Sequence, residues 1–250
     1  MKELLLAWRE PTSRSWIIVG KLWQKDDLYF FGYTQGVKKA LQSQNFISFG
    51  NMNSIDEIYT SKEIFPIFKN RLFQKNRPEY SKYIEWLGFN KDKELSPLEE
   101  LARTNGIRAT DSLQLFEIPK SKNGKYIVYF YSHGISHLAK SYKKRIATLE
   151  QGERLFLLKD IQNSFDKKAL LLRTNDPTEL VGYTPRFYTE DFNKLLSING
   201  EESLIVQVER VNSEAPTQLQ LLCKLETKWP KNFKPFDTDE SKLIKGEYSE

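Results

Sequence analysis

The chain has 250 residues, of which 39% are hydrophobic and 28% are charged, and its formal net charge is +5. This length and apolar content favour one large or two small folded domains over a disordered chain. A single cysteine excludes an intrachain disulfide, and with only two histidines the chain cannot supply a four-ligand structural zinc site. No apolar run approaches the roughly 18 residues that a membrane helix needs, so we expect a cytoplasmic protein without a membrane partner.

Residues 1–118 are expected to form a first domain that combines a hairpin with helices. Alternating apolar residues predict strands at 3–8, 16–23, 28–33 and 113–118. Apolar residues at helical spacing predict helices at 62–73 and 79–87. Ser96 and Glu99 match a capping box with Pro97 at the first helical position, so a third helix is predicted from there to Gly106.

Residues 119–228 are expected to form a second, mostly β domain. Strands are predicted at 126–131, 154–158, 169–172, 180–183, 204–211 and 218–225. Two helices are predicted between them, at 138–149 and 189–196. The remaining residues, 229–250, lean acidic from Phe236 onward and are interpreted as a loose tail.

The sequence lacks the common local signals of catalysis. It contains no Gly-rich phosphate loop, HExxH or GxSxG, which argues against P-loop ATPases, zinc proteases and α/β-hydrolases. His133 and His137 are four residues apart, but they follow a strand and are separated by Gly134, so a shared metal-binding helix face is not expected. We therefore predict a non-enzymatic protein with no metal and no cofactor.

Positive charge is concentrated in one segment of the chain. No acid occurs between Glu117 and Glu150, whereas seven bases do, and Lys140, Lys143 and Lys144 fall within a predicted helix. Clustered bases without acids are typical of a surface that binds polyanions.

A second candidate site is the polar loop at 160–168, between two predicted strands. One interpretation is a long turn in which Asp160, Asn163 and Asp166 bond to backbone amides. In the other, the loop binds nucleic acid: a ring stacks on a base, lysines face phosphates and a carboxylate accepts from a sugar hydroxyl. The residues for these roles are Phe165, Lys167, Lys168 and Asp166. Both interpretations remain open at this point.

Four short pieces of sequence occur in the order of a known domain. They are GISH at 134–137, GERL at 152–155, NSFD at 163–166 and GYTPR at 182–186. Through these pieces, residues 129–197 resemble the HIRAN domain of the bacterial type. The resemblance implies an OB-like β-barrel, so the whole chain is predicted to be α+β. It also implies binding of single-stranded DNA by its 3′ end.

The same resemblance assigns roles within these pieces. Phe165 would stack on a terminal base, Asp166 would accept from the terminal hydroxyl, and His137 would offer a second stacking surface. The candidate site is completed by Asn163, Lys167, Tyr183 and Arg186, together with the lysines at 140, 143 and 144.

Two positions depart from the pattern of the family. Ser136 stands where the family usually has arginine, which removes a fork-shaped phosphate donor. Phe165 stands in place of the commoner tyrosine, which keeps stacking and loses one hydrogen bond. The lysines of the basic segment can supply phosphate affinity as point charges, but they do not replace the lost fork.

Residues 16–118 are similar to the N-terminal subdomain of HipA-type proteins. The similarity rests on VGKL at 19–22, FGY at 31–33, FPIFKNRL at 65–72 and LEELA at 98–102. It implies contact with a protein partner and no phosphoryl transfer.

Three functions follow from these observations. The leading hypothesis is binding of single-stranded DNA or DNA ends without catalysis. The alternative is an accessory protein of a toxin–antitoxin or defence system that docks a partner through its HipA-like half. The third is a hydrolase or metal-dependent enzyme in which Asp160, Asp166 and His137 converge. A steep fall of affinity with salt would separate the first hypothesis from the second.

Overall fold

The computed structural model describes residues 2–164 and 166–246, which divide into two compact units. Unit 1 comprises the chain up to Asn76, residues Glu94–Ile118 and the described residues from Phe236 on, whereas unit 2 comprises Arg77–Lys93 and Pro119–Pro235. Each unit is built on one antiparallel sheet with short helices, which confirms the predicted α+β class. No helix within the described residues is long and apolar enough to cross a membrane.

The strands along the chain are β1 (Glu3–Arg9), β2 (Trp16–Lys25), β3 (Leu28–Tyr33), β4 (Ile58–Ser61), β5 (Leu113–Glu117), β6 (Lys125–Tyr131), β7 (Arg154–Lys159), β8 (Leu170–Arg173), β9 (Leu180–Tyr183), β10 (Ile205–Val211) and β11 (Leu221–Lys228). The α-helices are α1 (Val37–Ala40), α2 (Pro66–Lys69), α3 (Tyr80–Trp86), α4 (Pro97–Thr104), α5 (Lys140–Ala147) and α6 (Thr189–Asn199). Of these elements, β4 and α1 have no counterpart among those predicted from the sequence.

Unit 1 is a five-stranded sheet in the order β4-β3-β2-β1-β5. Asp26 and Asp27 join β2 to β3 with φ values of 47° and 61°, a turn whose twist matches that of the flanking strands. The predicted capping box is present at α4, where the Ser96 hydroxyl accepts from the Glu99 N–H at 3.3 Å and the Glu99 carboxylate accepts from the Ser96 N–H at 3.1 Å. The helix therefore begins where its sequence signal places it.

The helix predicted at 62–73 is wrong in extent, because only Pro66–Lys69 is helical. Phe65 has an extended ψ of 143°, since a proline ring disfavours helical backbone in the residue before it. Beyond the helix, the buried Arg71 guanidinium donates to the Gly106 carbonyl at 2.7 Å and to Asp111 Oδ2 at 2.6 Å. The apolar spacing of this stretch thus belongs to one helical turn and an anchored loop.

Of the segment interpreted as a loose tail, residues 229–235 belong to unit 2, and residues 236–246 pack on unit 1. The ring centroids of Phe236 and Phe116 lie 5.0 Å apart, and the Ile244 N–H donates to the Tyr33 carbonyl at 3.0 Å. The tail prediction is wrong for these residues because their apolar and backbone groups pair with unit 1, which an acidic average composition conceals. Residues 247–250 lie outside the described residues.

Unit 2 is a six-stranded sheet in the order β6-β11-β10-β7-β8-β9. Beyond β6, His133 forms an antiparallel bridge with Tyr183 of β9, and each backbone N–H donates to the other carbonyl at 2.9 Å. This pair joins the two ends of the sheet. The sheet therefore closes into a barrel, which confirms the predicted OB-like architecture.

Two glycines allow the chain to approach itself at this closure. Gly182 has a φ of 124°, and a Cβ added there would lie 2.0 Å from Ser132 Oγ, which donates to the Val181 carbonyl at 2.7 Å. Gly134 has a φ of 76°, and a Cβ added there would lie 3.2 Å from the Tyr183 ring. There is no space for a side chain at position 182, which explains why the GYTPR piece begins with glycine.

Helix α3 belongs to unit 2, although it precedes β5 in the chain. The Trp86 carbonyl at its end accepts from the Tyr131 hydroxyl at 2.7 Å and from Asn212 Nδ2 at 2.9 Å. Residues 77–93, which sequence order assigns to the predicted domain 1–118, thus supply acceptors for polar side chains of the barrel.

We expect Gly182→Ala to destabilise unit 2 by more than about 3 kcal/mol, because a buried clash of this kind cannot relax without opening the closure. The added Cβ would also lie 2.6 Å from the His133 carbonyl. Gly124→Ala is the matched control, since its φ of 72° is also positive but no described heavy atom lies within 4 Å of an added Cβ. We expect it to cost about 1 kcal/mol. Urea unfolding followed by tryptophan fluorescence compares them, and equal losses would contradict the steric argument.

Candidate nucleic-acid interface

One carboxylate holds the polar loop to the barrel. Asp160 follows β7, and its Oδ2 accepts from the Tyr183 hydroxyl at 2.8 Å and from Asn163 Nδ2 at 3.1 Å. The Asp160 N–H donates to the Ala169 carbonyl at 3.0 Å, which closes the base of the loop. The NSFD and GYTPR pieces therefore meet at Asp160.

The environment of Tyr183 keeps its phenol protonated. Burial raises the pKa of Tyr183 above its ordinary value, and the hydrogen bond to Asp160 raises it further. The hydroxyl therefore remains a donor to the carboxylate at neutral pH.

Asp166 lies farther along the same loop, where its carboxylate has two different neighbours. Its Oδ1 accepts from the Lys168 N–H at 2.9 Å, and its Oδ2 lies 3.6 Å from Arg186 Nε. The Arg186 side chain is 44% exposed and the Asp166 side chain 20%. A carboxylate and a guanidinium are thus presented side by side at the surface.

Two of the predicted nucleic-acid contacts have their polar groups engaged within the protein. Asn163 donates to Asp160 and accepts from the Asp166 N–H at 3.0 Å, while Tyr183 donates to Asp160. The long-turn interpretation is therefore correct for Asn163 and Asp166, whose side chains bond to backbone amides. The Asp160 carboxylate also accepts from two side chains, because the barrel brings β9 beside the loop.

The remaining residues of the loop differ in what the structure shows. Phe165, the predicted stacking residue, lies outside the described residues. Lys167 is exposed and has no ion pair among the described residues. Lys168 Nζ lies 3.4 Å from Glu190 Oε2, so this lysine has a carboxylate partner and is not a free phosphate donor.

Helix α5 presents three lysines on one face. Lys140, Lys143 and Lys144 are exposed and are spaced so that they neighbour one another on the helix surface. Lys143 Nζ donates to the Ser136 carbonyl at 2.8 Å. Helix α5 packs against β9, the strand that carries Tyr183, and its lysines face solvent.

The acid-free segment is less positive than its sequence suggests. Arg145 forms an ion pair with Glu153, and Lys125 forms one with Glu226. Within the described part of the chain, Lys140 and Lys144 have no carboxylate partner. On α5 the uncompensated charge therefore lies on the lysine face and not at Arg145.

The two histidines are in different environments. Burial lowers the pKa of His133 in the closure pair to about 4, so its imidazole is neutral at pH 7. His137 ends a short 3₁₀ helix at Ile135–His137 and is exposed, where its ring is open to stacking. In the described residues, no three His, Cys, Asp or Glu side chains are grouped so that they could hold a metal ion.

A cavity of about 370 Å³ opens beside α5. Buried Ile135 and Ile146 form apolar walls, and Ser136, Lys143 and Gln220 supply polar groups. No acid lines the cavity, and its volume is typical of pockets that hold small ligands.

A closed antiparallel barrel with a polar loop at one edge places unit 2 in the OB-like class. The match to known proteins is more specific, since residues 125–230 match the family model of the HIRAN domain. The chain therefore contains a HIRAN domain, and the predicted resemblance of this half is confirmed.

Two solved structures are similar to part of the chain. The structure of a protein from Lactobacillus plantarum covers 42% of this chain and 97% of its own, with 16% identity and a TM-score of 0.32. The HIRAN domain of human HLTF covers 43% of this chain and 84% of its own, with 13% identity and a TM-score of 0.30. No curated protein matches the chain. The assignment of the domain rests on the family match.

We expect His133 to make the stability of the protein depend on pH. Its pKa is about 4 in the folded chain and 6.5 without burial, so between these values the unfolded state binds the proton more readily. The stability that neutral His133 contributes is complete above pH 6.5 and is lost as the pH falls towards 4. We expect a loss of about 2–3 kcal/mol over this range, measured by urea unfolding, and a weaker pH dependence in His133→Gln.

Proton NMR gives a direct check, because the chain has only two histidines. The imidazole signal that disappears in His133→Gln should titrate near pH 4, with His137→Gln as the matched variant that retains it. Titration of that signal near pH 6.5 would contradict the buried environment of His133.

Proposed function

We propose that the HIRAN domain of this chain binds single-stranded DNA without catalysis and receives a free 3′ end beside Asp166. The observation that carries this proposal is the exposed pairing of the Asp166 carboxylate with the Arg186 guanidinium at 3.6 Å. A carboxylate accepts from a sugar hydroxyl, and a guanidinium beside it donates to the adjoining phosphate. HIRAN domains are known for binding DNA, which supports DNA as the ligand.

The lysine face of α5 supports contact with the phosphates of a strand. Its three exposed lysines lie on a helix that packs against β9, the strand that leads into Arg186. Phosphate contacts of this kind supply affinity and position with little sequence preference. A strand that ends at Asp166 can therefore continue along α5, and the adjoining cavity has space for one of its nucleotides.

Arg186 compensates for the arginine that this chain lacks at position 136. Arg186 approaches Asp166 with Nε, and its guanidinium has further N–H groups that can donate to a phosphate. Lys143, which donates to the Ser136 carbonyl, adds a point charge where the family has its fork. We therefore propose that end recognition is retained and rests on Arg186 and Asp166.

We expect affinity for a fluorescent single strand to fall linearly with salt on a log–log scale. Changing Lys140, Lys143 and Lys144 together to Glu should weaken binding and reduce the slope by about 2, at about 0.7 per phosphate contact. Fluorescence anisotropy across a salt series measures both quantities. End preference should be unchanged, because phosphate contacts carry little identity.

The matched control reverses three exposed bases of unit 1, Lys38, Lys62 and Arg108, and so changes the net charge equally. We expect this variant to bind as the wild type does. Equal weakening in both triple variants would reduce the binding to a net-charge effect. Binding that does not depend on salt would favour the alternative, in which the chain docks a protein partner.

The sharpest test compares strands whose 3′ hydroxyl is free or phosphorylated. Asp166→Ala removes a charge-assisted hydrogen bond, so affinity should fall by about 1.5–3 kcal/mol for the free end and hardly at all for the blocked end. Phe165→Ala should weaken binding of both strands by about 1–3 kcal/mol, because every base has a π-face. Anisotropy titrations of the two strands give all four values.

Asp166→Asn controls for damage to the loop, since its amide oxygen can still accept from the Lys168 N–H. It should lose end preference while circular dichroism and urea unfolding stay close to the wild type. Equal binding of the two strands by the wild type would refute recognition of the 3′ end and leave a general single-strand binder.

A further inference from the structure

The outer face of β7 carries side chains to which the family resemblance assigns no role. Residues alternate along a strand, so Arg154, Phe156 and Leu158 share one face while Leu155, which is 2% exposed, points into the barrel. Leu158 is 47% exposed, which is unusual for a leucine in a sheet. This outer face is therefore open to solvent.

The neighbouring strands extend the same face. Phe156 lies opposite Arg173 of β8, and Leu158 lies opposite Leu171, which in turn lies opposite Tyr183 of β9. Directly opposed residues of antiparallel strands present their side chains on one face. The row of Tyr183, Leu171 and Leu158 thus crosses three strands and lies next to the row of Arg173 and Phe156 on the same face.

The aromatic ring at the centre of this face has two arginines over it. The guanidinium carbon of Arg154 lies 5.0 Å from the centroid of the Phe156 ring, and that of Arg173 lies 4.8 Å from it. Cation–π contact fixes both guanidinium planes. We name Arg154, Phe156 and Arg173 the arginine–phenylalanine cluster.

The charges of this cluster are poorly neutralised. Arg154 lies 3.6 Å from the Oε2 of Glu202, a side chain that is 94% exposed and so strongly screened. Arg173 donates to the Thr174 carbonyl at 2.9 Å and has no carboxylate partner among the described residues. Two like charges on one ring lie within about a Debye length of each other, so a polyanion would relieve their repulsion.

We infer that the arginine–phenylalanine cluster is a second contact for the single strand, several nucleotides away from its 3′ end. Guanidinium planes and an aromatic ring stack on bases, and the same guanidiniums donate to phosphates. Three adjacent strands span about 10 Å, a distance that takes a few nucleotides to cover. This inference rests on the proposed function, because the sheet face that carries the cluster also carries Tyr183, which lies beside the loop of the proposed end site.

Strand length separates the two contacts. Thymidine oligomers from a trinucleotide to a decanucleotide, each with a free 3′ hydroxyl, are titrated against the full chain by anisotropy. A trinucleotide reaches only the proposed end site beside Asp166, whereas longer strands also reach the arginine–phenylalanine cluster. Wild-type affinity should therefore rise with length and then level off.

Arg173→Gln and Phe156→Ala should bind the trinucleotide as the wild type does and lose about five- to twentyfold of the affinity gained by longer strands. Arg173→Lys should lose part of that gain, because it keeps the charge without the stacking plane. Arg108→Gln, which removes the same charge from an exposed site in unit 1, should follow the wild-type curve. Phe156→Leu serves in place of Phe156→Ala if the latter unfolds.

The possible failures are distinguishable. If Arg173→Gln and Phe156→Leu are folded and follow the wild-type curve at every length, the inference is overturned while the proposed end site stands. If trinucleotides show no affinity but long strands bind in a way that depends on Phe156, the inference holds and the end site fails. If no strand binds the wild type, both are overturned.

Discussion

The candidate interface of unit 2 depends on the two backbone hydrogen bonds between His133 and Tyr183. They join the ends of a six-stranded sheet and so fix where the chain after β6 lies relative to β9. Gly182 permits the approach because a Cβ there would overlap Ser132. Once Tyr183 is fixed, its hydroxyl reaches Asp160 and anchors the start of a loop that Arg186 and Glu190 contact farther along. The two hydrogen bonds that close the barrel therefore also position the residues of the candidate interface.

The candidate interface contains two carboxylates, which would repel the phosphates of the proposed ligand unless their charge is compensated. Asp160 accepts from a phenol and an amide, and Asp166 accepts from a backbone N–H while it faces the Arg186 guanidinium. Each carboxylate thus has donors or a cation beside it, and Arg186 and the lysines of α5 are exposed. The repulsion that Asp166 exerts on a phosphate is reduced where Arg186 lies between them. Under the proposed function, Asp166 then contributes as a hydrogen-bond acceptor at the end of the strand.

Local patterns in the sequence predicted most strands and the capped helix α4, because alternation and capping act between residues close in sequence. They could not predict which strands meet, and so the anchoring role of Asp160 was hidden: its donor Tyr183 is reached only through the closed barrel. A run of like charges in the sequence is a poor guide to surface charge for the same reason, because it does not show which residues from elsewhere in the chain pair with it. Arg145 belongs to an acid-free run, yet Glu153 pairs with it from outside that run. The site residues were suggested by a family resemblance, and Phe165, the residue expected to stack, lies outside the described residues.

The replacement of the family's arginine by Ser136 bears on how a strand is held. In an arrangement with arginine at that position, one fork-shaped donor beside the end site would fix the terminal phosphate. Here the positive groups lie on separate elements: Arg186 follows β9, Lys143 is on α5, and the two arginines of the arginine–phenylalanine cluster are on β7 and β8. Point charges on a helix tolerate a strand in several positions, whereas a guanidinium held by Asp166 or by a ring restricts its orientation. Under the proposed function, the lysines therefore supply affinity and the arginines supply orientation.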